Sequence, residues 1–463
     1  MKKQILYMVC AAALLSSCHI YKSYDRPDDI STAGLYRDPV STTDTLVSDT
    51  TNFGNTPWQE VFTDPQLQAL IEQGLAHNTD LQNALLSIKA AQAPLLAAKL
   101  AFIPGLALSP QGTISSFDKS AAVKTYSLPV TASWQVPLFG GLLNQKRGAS
   151  AALTQAKAYK QAVQTQIIAN VANMYYTLLM LDRQLDITRQ TADVLKRNAD
   201  AMEAMMQGAM YSINSAGVEQ SRAAYAQVKA SIPDLEQNIR ETENALSVLL
   251  GEAPHSIPRG TLDAQVLPSE FSVGIPLQLL SNRPDVRVAE MSLAQSYYQT
   301  NVARSNFYPN ITLSGSAGWT NSAGSAIINP GKFLASAIAS LTQPLFAHGA
   351  NIAQLKMAKA QEAQARNSFQ QALLNAGSEV SNALSLYQKN SEKVDARNLQ
   401  VASSKKAAED TRALFELGTS TYLEVLSAQQ AYLSAQVSEV SDRYSQMQAV
   451  INLYQALGGG RND

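Results

Sequence analysis

FQQALLNAGSEVSNALSLYQKNSEKVDARNLQVASSKKAAEDTRALFELGTSTYLEVLSAQQAYLSAQVSEVSDRYSQMQAVINLY occupies residues 369–454. One seam runs along its first part at alternating steps of four and three: Phe369, Leu373, Ala376, Val380, Ala383, Tyr387, Asn390, Val394, Arg397, Val401, Ser404, Ala408, Thr411, Phe415. Ten of the fourteen are apolar, and a mean step of about 3.5 residues marks a left-handed supercoil rather than one face of an isolated helix. Gly418, within "LGTSTY", ends the run and supplies a turn. The seam resumes as Leu423, Leu426, Gln430, Leu433, Val437, Val440, Tyr444, Met447, Ile451 and Tyr454. The reading is two long antiparallel helices with a tight tip at 418–421. Carried back to about Ala350, the first helix has ~70 residues and is on the order of 100 Å long.

The first half repeats the construction. From Ile167 the seam reads Val171, Met174, Leu178, Leu181, Leu185, Thr188, Ala192, Leu195, Ala199, Met202 and Met206. Gly208 breaks it, a tip follows at 208–216, and a return helix runs through Val218, Ser221, Tyr225, Val228, Ile232, Leu235, Ile239, Thr242, Leu246 and Leu249. The 463-residue chain is thus a tandem duplication, with one repeat over 57–255, a Pro-punctuated linker over 256–275, a second repeat over 276–459 and a short tail over 460–463.

Between the early helices and each hairpin the period changes to two. Leu106, Leu108 and Ile114 alternate with Ala107, Ser109, Gln111 and Thr113, and Tyr126, Leu128, Val130, Ala132, Trp134 and Val136 alternate with Thr125, Ser127, Pro129, Thr131, Ser133 and Gln135. In the second half Ile311, Leu313, Gly315, Ala317 and Trp319 do the same, and an Ala-rich segment from Phe333 follows. These predict half-buried strands near 104–118, 123–137, 309–321 and 333–344, each long enough to cross a membrane when tilted. Pro110 and Pro129 argue against an unbroken central ladder. Pro309 matches Pro104, and "QPLF" at 343–346 repeats "VPLF" at 136–139, both leading into a long helix. Pro94 predicts a kink in an early helix, and "RPD" at 283–285 a helix start.

The remaining composition narrows the function. Net charge is −1 with no basic cluster, so no nucleic-acid partner is indicated. The four histidines, His19, His77, His255 and His348, are scattered without ligand spacing. No GxGxxG, Walker loop, nucleophile elbow or HExxH is present, so the reading is no enzyme, no cofactor and no metal site. Lys2 and Lys3 precede an apolar run from Ile5 to Leu15 that is too short to span a bilayer and has the form of a secretory signal over 1–17. It ends in Leu15-Ser16-Ser17-Cys18, a lipobox pattern in which Cys18 carries diacylglycerol and an N-acyl chain. Cys10 leaves with the signal, which excludes disulfides and thiolate chemistry. Residues 18–56 then read as an extended, lipidated arm.

Four amphipathic strands cannot stand alone in hydrocarbon, because open edges leave backbone groups unsatisfied. Two copies would close eight strands around a filled interior; three would close twelve around a conduit. A homotrimer follows, with the helical hairpins continuing the ring.

The chain resembles the TolC-type outer-membrane efflux factors, nearest to their lipoprotein branch, over roughly 57–459. The resemblance is carried by "LSSC" (15–18), "YDRP" (24–27), "IPDLEQNIRETENALSVLLGEAP" (232–254), "RPDVRVAE" (283–290), "FYPNITLSGSAGW" (307–319) and "LFELGTSTYLEVLSAQQAYLSAQ" (414–436). It implies a mainly α fold with a transmembrane β part: a trimeric α/β barrel with four strands and long antiparallel coiled coils per protomer. The barrel would sit in the outer membrane and the helices in the periplasm, docked on an adaptor (membrane fusion) protein and an inner-membrane RND-type transporter. The implied function is the passive exit duct of a tripartite pump exporting drugs or other small molecules. The alternatives are a type I protein secretion duct, a metal-cation efflux duct and, weakest because alternating strands would serve no purpose in it, a non-conducting coiled-coil lipoprotein.

For single residues the resemblance implies that Gly208 with Asn214, and Gly418 with Thr419 and Ser420, form the periplasmic entrance. Glu424 matches an acidic position ringing that entrance, where symmetry copies would repel one another and attract cations. Ser420 replaces an arginine found in some members, and Ser427 and Asn214 replace acids. Met202, Met205, Met206 and Met210 cluster beside the first tip, where packing is the plainer reading and soft-metal export the other. Trp134, Trp319, Phe307 and Tyr308 fall near strand ends, as interface aromatics do.

Overall fold

A computed structural model describes residues 21–27, 30, 35, 53–118, 120–136, 138–207, 215–266, 283–321, 332–346 and 348–460. The helices are α1 (Trp58–Val61), α2 (Pro65–His77), α3 (Thr79–Leu100), α4 (Gly141–Gln207), α5 (Ser215–Leu249), α6 (Pro284–Ser305), α7 (Ala350–Glu416) and α8 (Tyr422–Ala456). The strands are β1 (Gly105–Leu108), β2 (Gln111–Ser115), β3 (Val123–Gln135), β4 (Asn310–Asn321) and β5 (Lys332–Thr342). The duplication is visible in the lengths: α4 and α7 have 67 residues each, and α5 and α8 have 35 each. Pro94 sits inside α3 and Pro233 inside α5 without ending either helix. No helix among the described residues is long and apolar enough to cross a membrane.

The chain forms two compact units, one drawn from residues 1–31, 85–159 and 287–372, the other from 32–84, 160–286 and 373–463. The first holds an antiparallel sheet ordered β1–β3–β4–β5, with β2 also on β3. The expected single strand near 104–118 is split, because Ser109 and Pro110 interrupt it. Leu108 faces Val130 and Gln111 faces Ser127, so β1 and β2 keep one register and occupy one strand position. Proline has no N–H for the ladder, and where Pro129 enters β3 its neighbour on β4 is Gly318. A Cβ there would lie 2.1 Å from the Leu128 carbonyl oxygen and 2.5 Å from the Pro129 Cα. Glycine is what lets the two backbones approach.

The arm segment 21–27 is fastened to this unit. Arg26 grips Glu290 of α6 with two 2.8 Å hydrogen bonds and lies over the Phe369 ring at 6.0 Å. The Tyr24 amide donates to the Tyr298 hydroxyl at 3.0 Å, and Tyr24 meets Tyr297 edge to face. Tyr21 covers Gly140, the residue before α4.

The second unit is helix packed on helix. Phe62, Leu67, Ile71, Tyr175, Leu178, Leu246 and Leu250 are fully buried in one continuous core. Asp64 caps α2 by accepting from the Gln66 amide at 2.9 Å, and its other oxygen accepts from Tyr175 at 2.6 Å and Gln265 at 2.7 Å. The described part of the segment read as a linker is packed: Ile257 and Leu262 are buried, and Arg259 bridges Asp182 of α4 and Glu243 of α5. Its remainder, 267–275, lies outside the described residues.

Candidate functional site

The second helical tip is built from its backbone upward. α7 ends with the Gly418 amide donating to Phe415 at 2.9 Å and the Thr419 amide to Leu414 at 3.0 Å, the paired bonds of a Schellman cap. That cap needs a left-handed residue, and Gly418 supplies it at φ 76°. The Thr419 hydroxyl gives the Leu414 carbonyl a second donor at 3.0 Å. Three residues later Thr421 caps α8: its side chain accepts from the Glu424 amide at 3.4 Å, and its own amide donates to the Glu424 carboxylate at 2.8 Å. The Ser420 hydroxyl donates to the same carboxylate oxygen.

Gly418, Thr419, Ser420 and Glu424 are therefore gathered into one exposed turn. The Ser420 hydroxyl, then the Thr421 amide, hold the Glu424 carboxyl below the ordinary glutamate range, so it is ionised at neutral pH. A helix N-terminus favours that charge. Thr421-x-x-Glu424 is a capping box, a pattern carried in the sequence by Thr and Glu three residues apart ahead of an apolar run. Gly208, Asn214 and Cys18 lie outside the described residues.

Behind the turn the two hairpins are tied together. Tyr422 is buried, and its hydroxyl pairs with the fully buried Ser221 hydroxyl at 2.7 Å. Burial pushes the Tyr422 phenol up from its ordinary value. Phe415 meets Tyr422 edge to face, and Leu195, Met202, Val218, Ala224, Val425 and Leu426 complete the buried cluster. The second seam is thereby corrected at its start: Leu423 is 61% exposed, whereas Tyr422 and Val425 face inward. The cap at Thr421 sets the rotational phase of α8, and a residue count carried across the turn does not. Met202 is a packing residue of this cluster, with Met206 against it.

The sheet is the other functional surface. One face carries Leu106, Leu108, Leu128, Val130, Trp134, Leu313, Trp319, Phe333 and Leu341; the other carries Gln111, Thr125, Ser127, Thr131, Ser133, Thr312, Ser314, Ser316 and Ser340. Val123, Pro129, Leu334, Ile338 and Ala107 are apolar residues on the second, and Lys124 is a charged one on the first. Leu128 faces Trp319 on the neighbouring strand, so the six residues from Leu128 to Trp134 place the two tryptophan levels about 20 Å apart. Trp319 is edge to face with Phe333. Trp134 donates its indole N–H to the Phe102 carbonyl at 3.1 Å.

The model of a family described as outer membrane efflux protein matches residues 70–252 and 275–459. Cation efflux system protein CusC of Escherichia coli K12 is 27% identical over 456 residues, covering 97% of this chain and 98% of the relative. Probable outer membrane lipoprotein SilC of Salmonella typhimurium is 26% identical over 413 residues, 88% of this chain and 89% of the relative. The solved structure of the outer-membrane channel OprN superposes with a TM-score of 0.85 at 26% identity, covering 96% of this chain and 99% of that one.

Proposed function

The chain belongs to the outer membrane efflux protein family, and from that premise we propose that three copies close one twelve-stranded pore anchored by lipid at Cys18 and gated at the Glu424 turn. Membership makes the protein an outer-membrane exit duct of a tripartite efflux pump, working with an adaptor and an inner-membrane transporter and performing no chemistry on its cargo. Its strand part belongs to the outer membrane and its helices to the periplasm.

The observation carrying the trimer is the sheet. Among the described residues it has four strand positions, two unpaired edges at β1/β2 and β5, and opposite faces of largely opposite polarity. In hydrocarbon those edges must find partners, and the apolar face suits lipid while the hydroxyl-rich face suits a wet lumen. The aromatic spacing of about 20 Å approaches the ~25 Å apolar band of such barrels.

The arm supports the lipid anchor and the orientation. Cys18 precedes Tyr21 by three residues, a reach of at most about 11 Å, and Tyr21 is fixed against Gly140, where β3 gives way to α4. A lipidated Cys18 would therefore bring the inner leaflet to that end of the strands. The proposed cargo is a small solute; Met202 serves packing and so lends no support to soft-metal coordination at that position.

At the entrance, three Glu424 side chains held ionised by Ser420 would concentrate cations. Single channels in planar bilayers test this: Glu424→Gln is expected to weaken block by divalent cations, and unchanged block removes Glu424 from the entrance. Cys18→Ser is expected to abolish palmitate labelling, and persistent labelling overturns the anchor.

A further inference from the structure

The chain builds one junction twice. "VPLF" at 136–139 carries β3 into α4, and "QPLF" at 343–346 carries β5 into α7. On the neighbouring strand Pro104 stands just before β1 as Pro309 stands just before β4, so Ile103 and Tyr308 are equivalent residues of the two repeats. At the first junction the contact is completed within the chain. Phe139 lies flat on Tyr308, with ring centroids 5.3 Å apart and planes within 9°, because β3 pairs with β4.

The second junction lacks its counterpart. β5 ends the sheet on one side and β1/β2 on the other. Leu345 is 93% exposed, Phe346 79% and Ile103 59%, whereas in the first repeat Leu138 and Phe139 are half-buried and Tyr308 is 42% exposed. Phe346, which within the chain meets the His348 ring edge to face, and Ile103 stand at the repeat positions of Phe139 and Tyr308 but on the two outer edges of the sheet, so the equivalent contact can form only between copies.

We propose that Phe346 of one protomer closes on Ile103 of the partner subunit, reproducing across the subunit boundary the Phe139–Tyr308 contact made inside each chain. The partner of this surface is a second copy, and the proposal rests on the trimeric reading above. The contact seals the foot of the β5 edge with apolar side chains, where the sheet's hydrogen bonds stop and water would otherwise reach the last backbone groups.

The test uses the full chain in outer-membrane vesicles. Phe346→Cys combined with Ile103→Cys, treated with a short bifunctional maleimide, is expected to yield covalent dimers and trimers on denaturing gels, with each single variant staying monomeric. Phe139→Cys with Tyr308→Cys, linked within one chain by the same reagent, confirms its reach. Monomeric bands from the first pair, while an amine-reactive cross-linker still traps trimers, overturn the contact and leave the trimer standing. Monomers with both reagents overturn the trimer too. As a second measurement, Phe346→Lys is expected to lose the trimer and Phe346→Lys with Ile103→Glu to regain it; absence of recovery also counts against the contact.

Discussion

The two long helices α4 and α7 have the same length and the same heptad seam, yet they live in different surroundings. Along α4 the seam is buried from Ile167 through Met202, Met174 being half-buried, and among its described residues Tyr159 is the one large apolar side chain left well exposed. Along α7 the seam is buried from Phe369 to Ala383 and again at Asn390, but Val394 is exposed and the positions from Arg397 to Phe415 are half-buried. Ile352, Met357, Leu374, Leu399 and Leu414 are exposed as well. Equal periodicity therefore reports a helix that needs a partner and is silent on whether that partner is in the same chain. α4 finds its own inside the protomer, and α7 leaves part of its surface exposed, which the proposed trimer would cover.

The sharpest way to break this contrast is one deletion on each helix. Leu178 is completely buried, and Leu178→Ala is expected to cost about 3–4 kcal/mol of protomer stability through lost contacts and a cavity. Leu399 is 69% exposed, so Leu399→Ser should leave the protomer's denaturation midpoint nearly unchanged and instead lower the temperature at which trimers dissociate in detergent. Equal effects of the two on protomer unfolding would erase the distinction.

What the sequence could show follows the same line. Local periodicity marks helices and strands wherever one face is buried, and so Gly418, the strand alternation around Leu128 and Val130, and the interruption at Pro110 were all readable. The phase of α8 was not: the turn between Phe415 and Tyr422 resets the rotation, and counting onward selects Leu423 where the fold buries Tyr422. Contacts between distant residues leave no periodic trace. Arg26 with Glu290, Tyr422 with Ser221, and Arg259 with Asp182 join residues far apart along the chain, so the segment between the repeats also carries an ion cluster.

That cluster sharpens the comparison further. In the first hairpin Arg259, with its side chain only 13% exposed, is bound to acids from both helices. In the second, Arg397 of α7 meets Asp442 of α8 at 2.7 Å with more solvent access. Removing a largely buried cation leaves two acids uncompensated, so Arg259→Met is expected to cost about 3 kcal/mol, against about 1 kcal/mol or less for Arg397→Met. Chemical denaturation of the two variants decides it. Parity would place the hairpins under equal constraint.

The smallest effect separates the second tip from the rest of its hairpin. With α7 partly unpartnered, the start of α8 depends on local capping, and Thr421→Ala is expected to cost about 1 kcal/mol. The acid in that box adds a pH dependence of definite sign. Glu424 titrates lower in the fold than its ordinary value of 4.5, chiefly through the Ser420 hydroxyl, so its contribution is complete above that value and is lost as pH falls through the lowered one. Amide exchange at Thr421, whose N–H is bound by the carboxylate, reads this directly. Relative to Glu424→Gln at the same pH, the native turn should be protected at neutral pH and should lose that advantage below about pH 4.5. A constant ratio across the range would mean that the carboxylate does not hold the turn.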